Sequence, residues 1–199
     1  MTNKEYFINL YKKHITRPGA DDLLQWLVST DFFTAPASTK YHGDYEGGLC
    51  EHSIHVWEEL VRLSKAYPEI QITAESAAII SLLHDLCKIG CYKIEIRNKK
   101  IGPGPKDWAQ TPAYVFEEDL SYGGHGSKSV YLIQKYMNLT EDEAIAINCH
   151  MGFSDKAPND YSIGNAFSKH HLAWLVHVAD ESATYIRESK SKIKENILS

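Results

Sequence analysis

Apolar residues recur at helical spacing along most of the chain, and glycines and prolines fall between the periodic stretches. Leu23, Leu24 and Leu27 share one face of an early stretch, and Pro68 ends a longer one that begins near residue 50. Thr140 and Glu143 form a capping box before another apolar run. The pattern predicts helices over 21–30, 50–67, 74–88, 127–136, 141–150 and 170–188.

One stretch between these helices has strand character instead. Residues 92–96 alternate between polar and apolar, residues 113–117 are extended in character, and a Gly/Pro-rich segment at 102–105 connects them. The sequence therefore predicts a mainly α fold, a helical bundle with one small β-hairpin inserted at 92–118. We expect a single domain over 1–199, with N-terminal helices and a loop in 1–46, the core in 47–188 and a fraying tail in 189–199.

Composition narrows the class of protein. The chain has 43% hydrophobic and 24% charged residues, which excludes a wholly disordered protein. The formal net charge of -5 argues against a broad basic surface for nucleic acid, so local charges must hold an anionic substrate. No apolar run approaches the ~20 residues that span a bilayer, and residues 1–13 lack the apolar segment of a secretory signal, so we expect no membrane partner and a cytoplasmic location. The cysteines are then expected to be buried thiols: Cys50, Cys87, Cys91 and Cys149.

His84 and Asp85 stand side by side at the end of the apolar helix predicted over 74–88. Burying an imidazole and a carboxylate is costly unless something pairs with them, so a metal ion is one explanation, and a structural ion pair or helix cap is the ordinary alternative. Further candidates in apolar or Gly-rich surroundings favour the metal: His52, His125, His150 and Asp180. Six such groups from separate elements could hold two divalent ions, with one carboxylate bridging them.

Three short motifs carry these candidates in a characteristic order. Residues 47–52 read GGLCEH, residues 82–90 read LLHDLCKIG, and residues 177–180 read HVAD. In this order of His, His-Asp and a distal Asp, the chain resembles the HD-domain superfamily over residues 47–180. The resemblance implies an all-helical bundle and a metal-dependent phosphohydrolase.

The same resemblance assigns the ligands residue by residue. It implies that His52, His84, Asp85 and Asp180 bind a first metal, and that His125 and His150 bind a second, with Asp85 bridging. Members that cleave cyclic dinucleotides usually have a paired histidine at the fourth motif, whereas Met151 follows His150 here, so that substrate is not carried over. The expected cofactor is a divalent metal, two ions per chain, drawn from Mn, Fe, Zn, Co, Ni or Mg.

Two lysines extend the site. Lys88 lies three residues after Asp85 and Lys128 three after His125, so each shares a helix face with a candidate ligand. Ammonium groups beside a metal centre suit phosphate oxygens, although Lys88 could instead cap a helix C-terminus. We predict Asp85, Lys88 and Lys128 as catalytic residues.

The expected activity is hydrolysis of a phosphate mono- or diester, in a nucleotide or short oligonucleotide. A di-iron oxygenase of the same superfamily, resembling myo-inositol oxygenase in its ligand order, is an alternative, and a non-catalytic domain that binds a nucleotide or a partner is a third. Arg97, Lys99, Lys100 and Lys106 on the predicted hairpin could draw an anion towards the metals, or the hairpin could be an oligomer contact. The sequence leaves the oligomeric state open.

Overall fold

A computed structural model of the chain describes residues 1–39, 42–117, 119–155 and 160–189. Within these ranges the fold is mainly helical with one inserted hairpin, which confirms the predicted class. The hairpin strands are β1 (Tyr92–Lys100) and β2 (Trp108–Phe116). The α-helices, in chain order, are α1 (Asn3–His14), α2 (Ala20–Ser29), α3 (Gly48–Ala66), α4 (Ala74–Leu82), α5 (His125–Gln134), α6 (Glu141–Cys149), α7 (Ser162–Lys169) and α8 (His171–Ser182).

The core lies where α4 packs between its neighbours. Helix α3 contacts both α4 and α8, and α6 contacts α4 and α8 as well. All residues of α4 from Ala77 to Leu82 are buried, as its uninterrupted apolar sequence predicts. The residues that directly follow this helix are therefore buried as well. His84 and Asp85 are the first polar residues among them.

Helix α4 is shorter than predicted, ending at Leu82 rather than near residue 88. In a continued α-helix the Ser81 carbonyl would accept the backbone N–H of Asp85. Here it accepts a hydrogen bond from Nδ1–H of His84 at 2.8 Å, and a short 3₁₀ turn, Leu86–Lys88, follows. The side chain of His84 thus occupies the acceptor that the next helical bond would need, which ends the helix. The 3₁₀ turn then places Asp85 and Lys88 beside one cavity.

The last predicted helix is divided into two elements, and one helix of the structure was not predicted. The segment predicted as a helix over 170–188 is α8 followed by a π-helix, Ala183–Arg187. Helix α7 has no counterpart among the predicted helices, because few of its positions are apolar; Ile163 and Ala166 bury its inner side. The predicted tail 189–199 lies outside the described residues except for Ser189.

The hairpin is longer than the predicted strands and projects from the bundle. Its antiparallel register runs from Tyr92 opposite Phe116 to Lys100 opposite Trp108. Residues 93–100 are exposed, whereas the Tyr92 and Phe116 rings pack together at the base, 5.2 Å apart. The root of the hairpin is therefore the part that reaches the interior.

All four cysteines are buried and none forms a disulfide among the described residues, which agrees with the prediction. Among the described residues, no helix combines the length and the apolar composition needed to cross a membrane.

Candidate metal centre

Five of the predicted ligands meet in the core, although they come from four parts of the chain. His52 on α3 places Nε2 at 3.1 Å from Oδ1 of Asp180 on α8 and 3.8 Å from Oδ2 of Asp85. Nε2 of His84 lies 3.4 Å from Oδ2 of Asp85. At the end of α6, Nε2 of His150 lies 3.5 Å from Oδ1 of the same carboxylate. Asp85 is thus the centre of the group, which we call the ligand cluster.

The histidines of the ligand cluster are oriented by the backbone. Nδ1 of His84 is 2.8 Å from the Ser81 carbonyl, and Nδ1 of His150 is 2.7 Å from the Ile147 carbonyl. A carbonyl oxygen only accepts, so each Nδ1 carries the hydrogen and each Nε2 presents a lone pair to the cluster. Both Nε2 atoms are buried and have no hydrogen-bond partner among the described residues. A cation would satisfy these nitrogens.

Charge in the cluster is arranged around the two carboxylates. Burial alone would raise the pKa of Asp85, but Lys88, whose Nζ is 2.7 Å from Oδ2, and His84 hold it well below its usual value. The pKa of Asp180 is likewise low despite burial, because His52 bonds to it. Burial would lower the pKa of His52, yet its bonds to Asp180 and Glu188 raise it to about 10. In the metal-free protein a proton on His52 therefore balances these carboxylates, and a cation bound at the cluster would take the place of the proton on Nε2.

The dimensions of the cluster fit a metal ion. Two atoms that each bind one ion at about 2.1 Å lie at most about 4.2 Å apart. The nitrogen–oxygen separations given above run from 3.1 to 3.8 Å. Three donor sets hold their ligand atoms within 4.8 Å of one another: His52, His84 and Asp85; His84, His150 and Asp180; and His42, His52 and Glu188. The first two consist entirely of predicted ligands. The residues present can therefore hold a metal ion.

The remaining predicted ligand and the two predicted lysines lie around this cluster in different ways. His125, the first residue of α5, lines the same cavity with its ring 5.8 Å from that of Phe116, but no donor set among the described residues includes it. Lys88 lines the cavity beside Asp85. Nζ of Lys128 is instead 3.2 Å from Sγ of Cys91 and 5.7 Å from the centre of the Tyr122 ring, and Lys128 is not a cavity-lining residue.

The ligand cluster opens into a cavity of about 300 Å³. His52, Asp85, Lys88 and Asp180 form its polar end. The other walls come from residues 37–39 and 42, the hairpin root and the segments after α6 and α8, and include Thr39, Tyr92, Phe116, Met151, Ser154, Thr184 and Tyr185. This volume is at the lower end of the range for small-molecule sites.

Two residues beside the cluster were not predicted. Glu188 accepts from Nδ1 of His52 at 3.1 Å and from Nδ1 of His55 at 2.8 Å. The ring of His42 lies tilted beside that of His52, with ring centres 4.8 Å apart, and burial together with His52 lowers the pKa of His42 to about 4. Neither lies in one of the three motifs: His42 precedes α3 in an irregular segment, and Glu188 follows α8, so no periodic or motif signal marks them.

Comparison of the chain with protein-family models, with curated proteins and with solved structures found no match. A helical bundle supports many activities, so the function has to follow from the chemistry of the cluster and its cavity.

Proposed function

We propose that the protein is a metal-dependent phosphohydrolase that cleaves a phosphate mono- or diester of a nucleotide or short oligonucleotide. The observation that carries the proposal is the buried ligand cluster, with the Lys88 ammonium at the polar end of a cavity that a small molecule can enter. The reaction class is drawn from the resemblance of the three motifs to HD-domain proteins. The position of the site is drawn from the fold.

The proposed donors divide into two sets around Asp85. His52, His84, Asp85 and Asp180 would hold one divalent ion, and His125 and His150 would contribute to a second. The two oxygens of Asp85 support a bridging role, because Oδ2 faces His52 and His84 while Oδ1 faces His150. Imidazole-rich donors of this kind favour Mn, Fe, Co, Ni or Zn over Mg, which prefers oxygen. Such an ion supplies a Lewis acid for phosphoryl oxygens and lowers the pKa of a water molecule.

Lys88 has the position for binding the substrate phosphate. Its side chain is 13% exposed, and burial alone would lower its pKa, but Asp85 at 2.7 Å raises it, so the ammonium persists at neutral pH. A fixed charge in a partly dry cavity stabilises developing negative charge more strongly than one in water. Lys128 was predicted for the same task, but its Nζ contacts Cys91 instead of the cavity. Its role in binding phosphate stays a prediction.

The walls of the cavity support a nucleotide substrate. Tyr92, Phe116 and Tyr185 offer aromatic faces against which a base can stack. A groove along the hairpin, lined by Arg97, Lys99 and Tyr114, shares Phe116 and Thr39 with the cavity and continues it outward. Further phosphates of an oligonucleotide would meet cationic side chains there.

The test is an anaerobic assay on metal-stripped protein reloaded with Mn²⁺. The substrates are nucleoside monophosphates and triphosphates, cyclic nucleotides and short oligonucleotides, and release of phosphate or nucleotide is measured. Product is expected from wild type and from His14→Asn, whose histidine packs on Trp57 away from the cavity, but not from His84→Asn. Absence of product, with oxygen uptake by the iron-loaded protein, would favour the di-iron oxygenase instead. Absence of both would favour a non-catalytic binding domain.

A further inference from the structure

His52 is held between two carboxylates of the same C-terminal segment. Oδ1 of Asp180 is 3.1 Å from Nε2, on the side of the ligand cluster, and Oε1 of Glu188 is 3.1 Å from Nδ1, on the other side. The Glu188 side chain is only 7% exposed. The same oxygen is 2.8 Å from Nδ1 of His55, one turn further along α3. Glu188 is therefore a buried acceptor shared by two histidines.

The π-helix after α8 explains how one segment reaches both ring nitrogens. In a regular α-helix, residues eight positions apart, as Asp180 and Glu188 are, differ in direction by about 80°. The π-helix Ala183–Arg187 uses more residues for each turn, and the Glu188 N–H closes it on the Ala183 carbonyl at 2.9 Å. The wider turn compensates for the difference in direction between the side chains of Asp180 and Glu188, so that both reach His52. Arg187, which pairs with Glu58 and Glu59 of α3, holds this end of the segment against the same helix as His52.

We propose that Glu188 is a positioning residue for the metal centre, an inference that rests on the proposed function. Because a carboxylate only accepts, Glu188 selects the tautomer of His52 in which Nδ1 carries the hydrogen and Nε2 presents its lone pair to the cation. A carboxylate behind a ligating imidazole also makes the nitrogen a stronger donor and prevents rotation of the ring. The bond from His55 holds the carboxylate in place.

A role of Glu188 in metal binding and a role in packing lead to different effects when the carboxylate is removed. If Glu188 merely docks the C-terminal segment, its removal lowers the stability of the metal-free protein and leaves the intrinsic affinity for metal unchanged. If it positions His52, its removal weakens metal binding even where the metal-free protein remains folded. Metal affinity, measured without any turnover, is thus the informative quantity.

The experiment compares Glu188→Ala, Glu188→Gln and the control Glu59→Gln. Glu59 lies on the same helix and contacts the same C-terminal segment through Arg187, but it has no contact with a histidine among the described residues. The dissociation constant for Mn²⁺ is measured by competition with a chelating indicator, together with the unfolding midpoint of each metal-free protein. Phosphate release is recorded in parallel.

Glu188→Ala is expected to raise the Mn²⁺ dissociation constant about 10- to 100-fold, as loss of a partner behind a ligating histidine does elsewhere. Glu188→Gln keeps an acceptor oxygen and should recover part of this loss. Glu59→Gln should stay within about twofold of wild type, because Glu59 pairs with Arg62 and Arg187 rather than with a residue of the ligand cluster.

Unchanged Mn²⁺ affinity in Glu188→Ala would overturn the inference, whether or not the unfolding midpoint falls. If wild type binds no metal, the inference and the proposed function are both wrong. If wild type binds metal and Glu188→Ala weakens it, but no phosphoester is cleaved, the proposed function fails while the role of Glu188 stands.

Discussion

Loss of the Arg17 guanidinium should destabilise the fold more than loss of any exposed arginine. Nη1 and Nη2 of Arg17 lie 2.7 and 2.8 Å from the two carboxylate oxygens of Glu143, whose side chain is completely buried. Nη2 also lies 3.3 Å from Glu75. Since Glu143 closes the capping box of α6 and Glu75 lies in the first turn of α4, Arg17 links the α1–α2 connection to both helices. These helices lead to His150 and to His84.

The magnitude follows from the burial of the pair. Removing one partner of a buried ion pair leaves an uncompensated charge and costs about 3–5 kcal/mol. Arg17→Met should therefore lower the free energy of unfolding by about that amount and the midpoint by roughly 6–20 °C for a chain of this size. Arg62→Met is the matched control, because Arg62 is 62% exposed and pairs with Glu59 on the surface of α3. It should cost about 0–1 kcal/mol.

The stability that the pair contributes should depend on pH. Burial would raise the pKa of Glu143, but its bond to Arg17 lowers it below the ordinary value of 4.5. A carboxylate with a depressed folded-state pKa contributes its stability above the unfolded pKa, and this is lost as the pH falls through the folded pKa. The difference between wild type and Arg17→Met should therefore be largest near neutral pH and shrink below about pH 4.

Urea unfolding followed by circular dichroism at pH 7 and pH 3.5 measures both effects. The double variant Arg17→Met/Glu143→Met should recover much of the loss, since apolar replacement of a whole buried pair is often neutral. A loss below about 1 kcal/mol at pH 7, the value for exposed pairs, would refute the reasoning. So would a loss that does not change with pH.

Three further predictions concern the site. His125→Ala and His150→Ala should each remove one of two bound metal ions and leave the helical fold intact, as measured by elemental analysis and circular dichroism; two ions retained in both variants would contradict the proposed second position. Lys88→Met should lower turnover about 10²- to 10³-fold, as loss of a group that stabilises the transition state does, whereas Lys128→Met should have a smaller effect because its Nζ contacts Cys91. Neutralising Arg97 and Lys99 together should raise KM for an oligonucleotide with an unchanged oligomeric mass by light scattering; a changed mass would indicate an oligomer contact instead.

The ligand cluster was largely predictable because its members stand out locally. His84 and Asp85 are polar residues at the end of an apolar helix, and the packing of α3 against α8 brings His52 and Asp180 to them. The capping box of Thr140 and Glu143 was also predictable, since it depends on residues three positions apart. These features follow from short stretches of sequence.

The remaining features depend on contacts between distant segments. Helix α4 ends early because Nδ1–H of His84 donates to the Ser81 carbonyl. Apolar periodicity does not indicate such a hydrogen bond. Glu188 reaches His52 only through the π-helix, which the helical pattern over 170–188 conceals. Lys128 does follow His125 by three residues on one helix, as predicted, but Cys91 decides where its ammonium lies.

The metal content of Asp85→Ala tests the central claim most directly. Asp85 contacts His52, His84 and His150 of the ligand cluster, so its loss should empty the whole centre. The control is Asp142→Ala, which removes a carboxylate that is 60% exposed and bonded to His170 outside the cavity. Elemental analysis of the purified proteins should find divalent metal in wild type and Asp142→Ala, and none in a folded Asp85→Ala. Wild-type metal content in Asp85→Ala would contradict the assignment of this cluster as the metal centre.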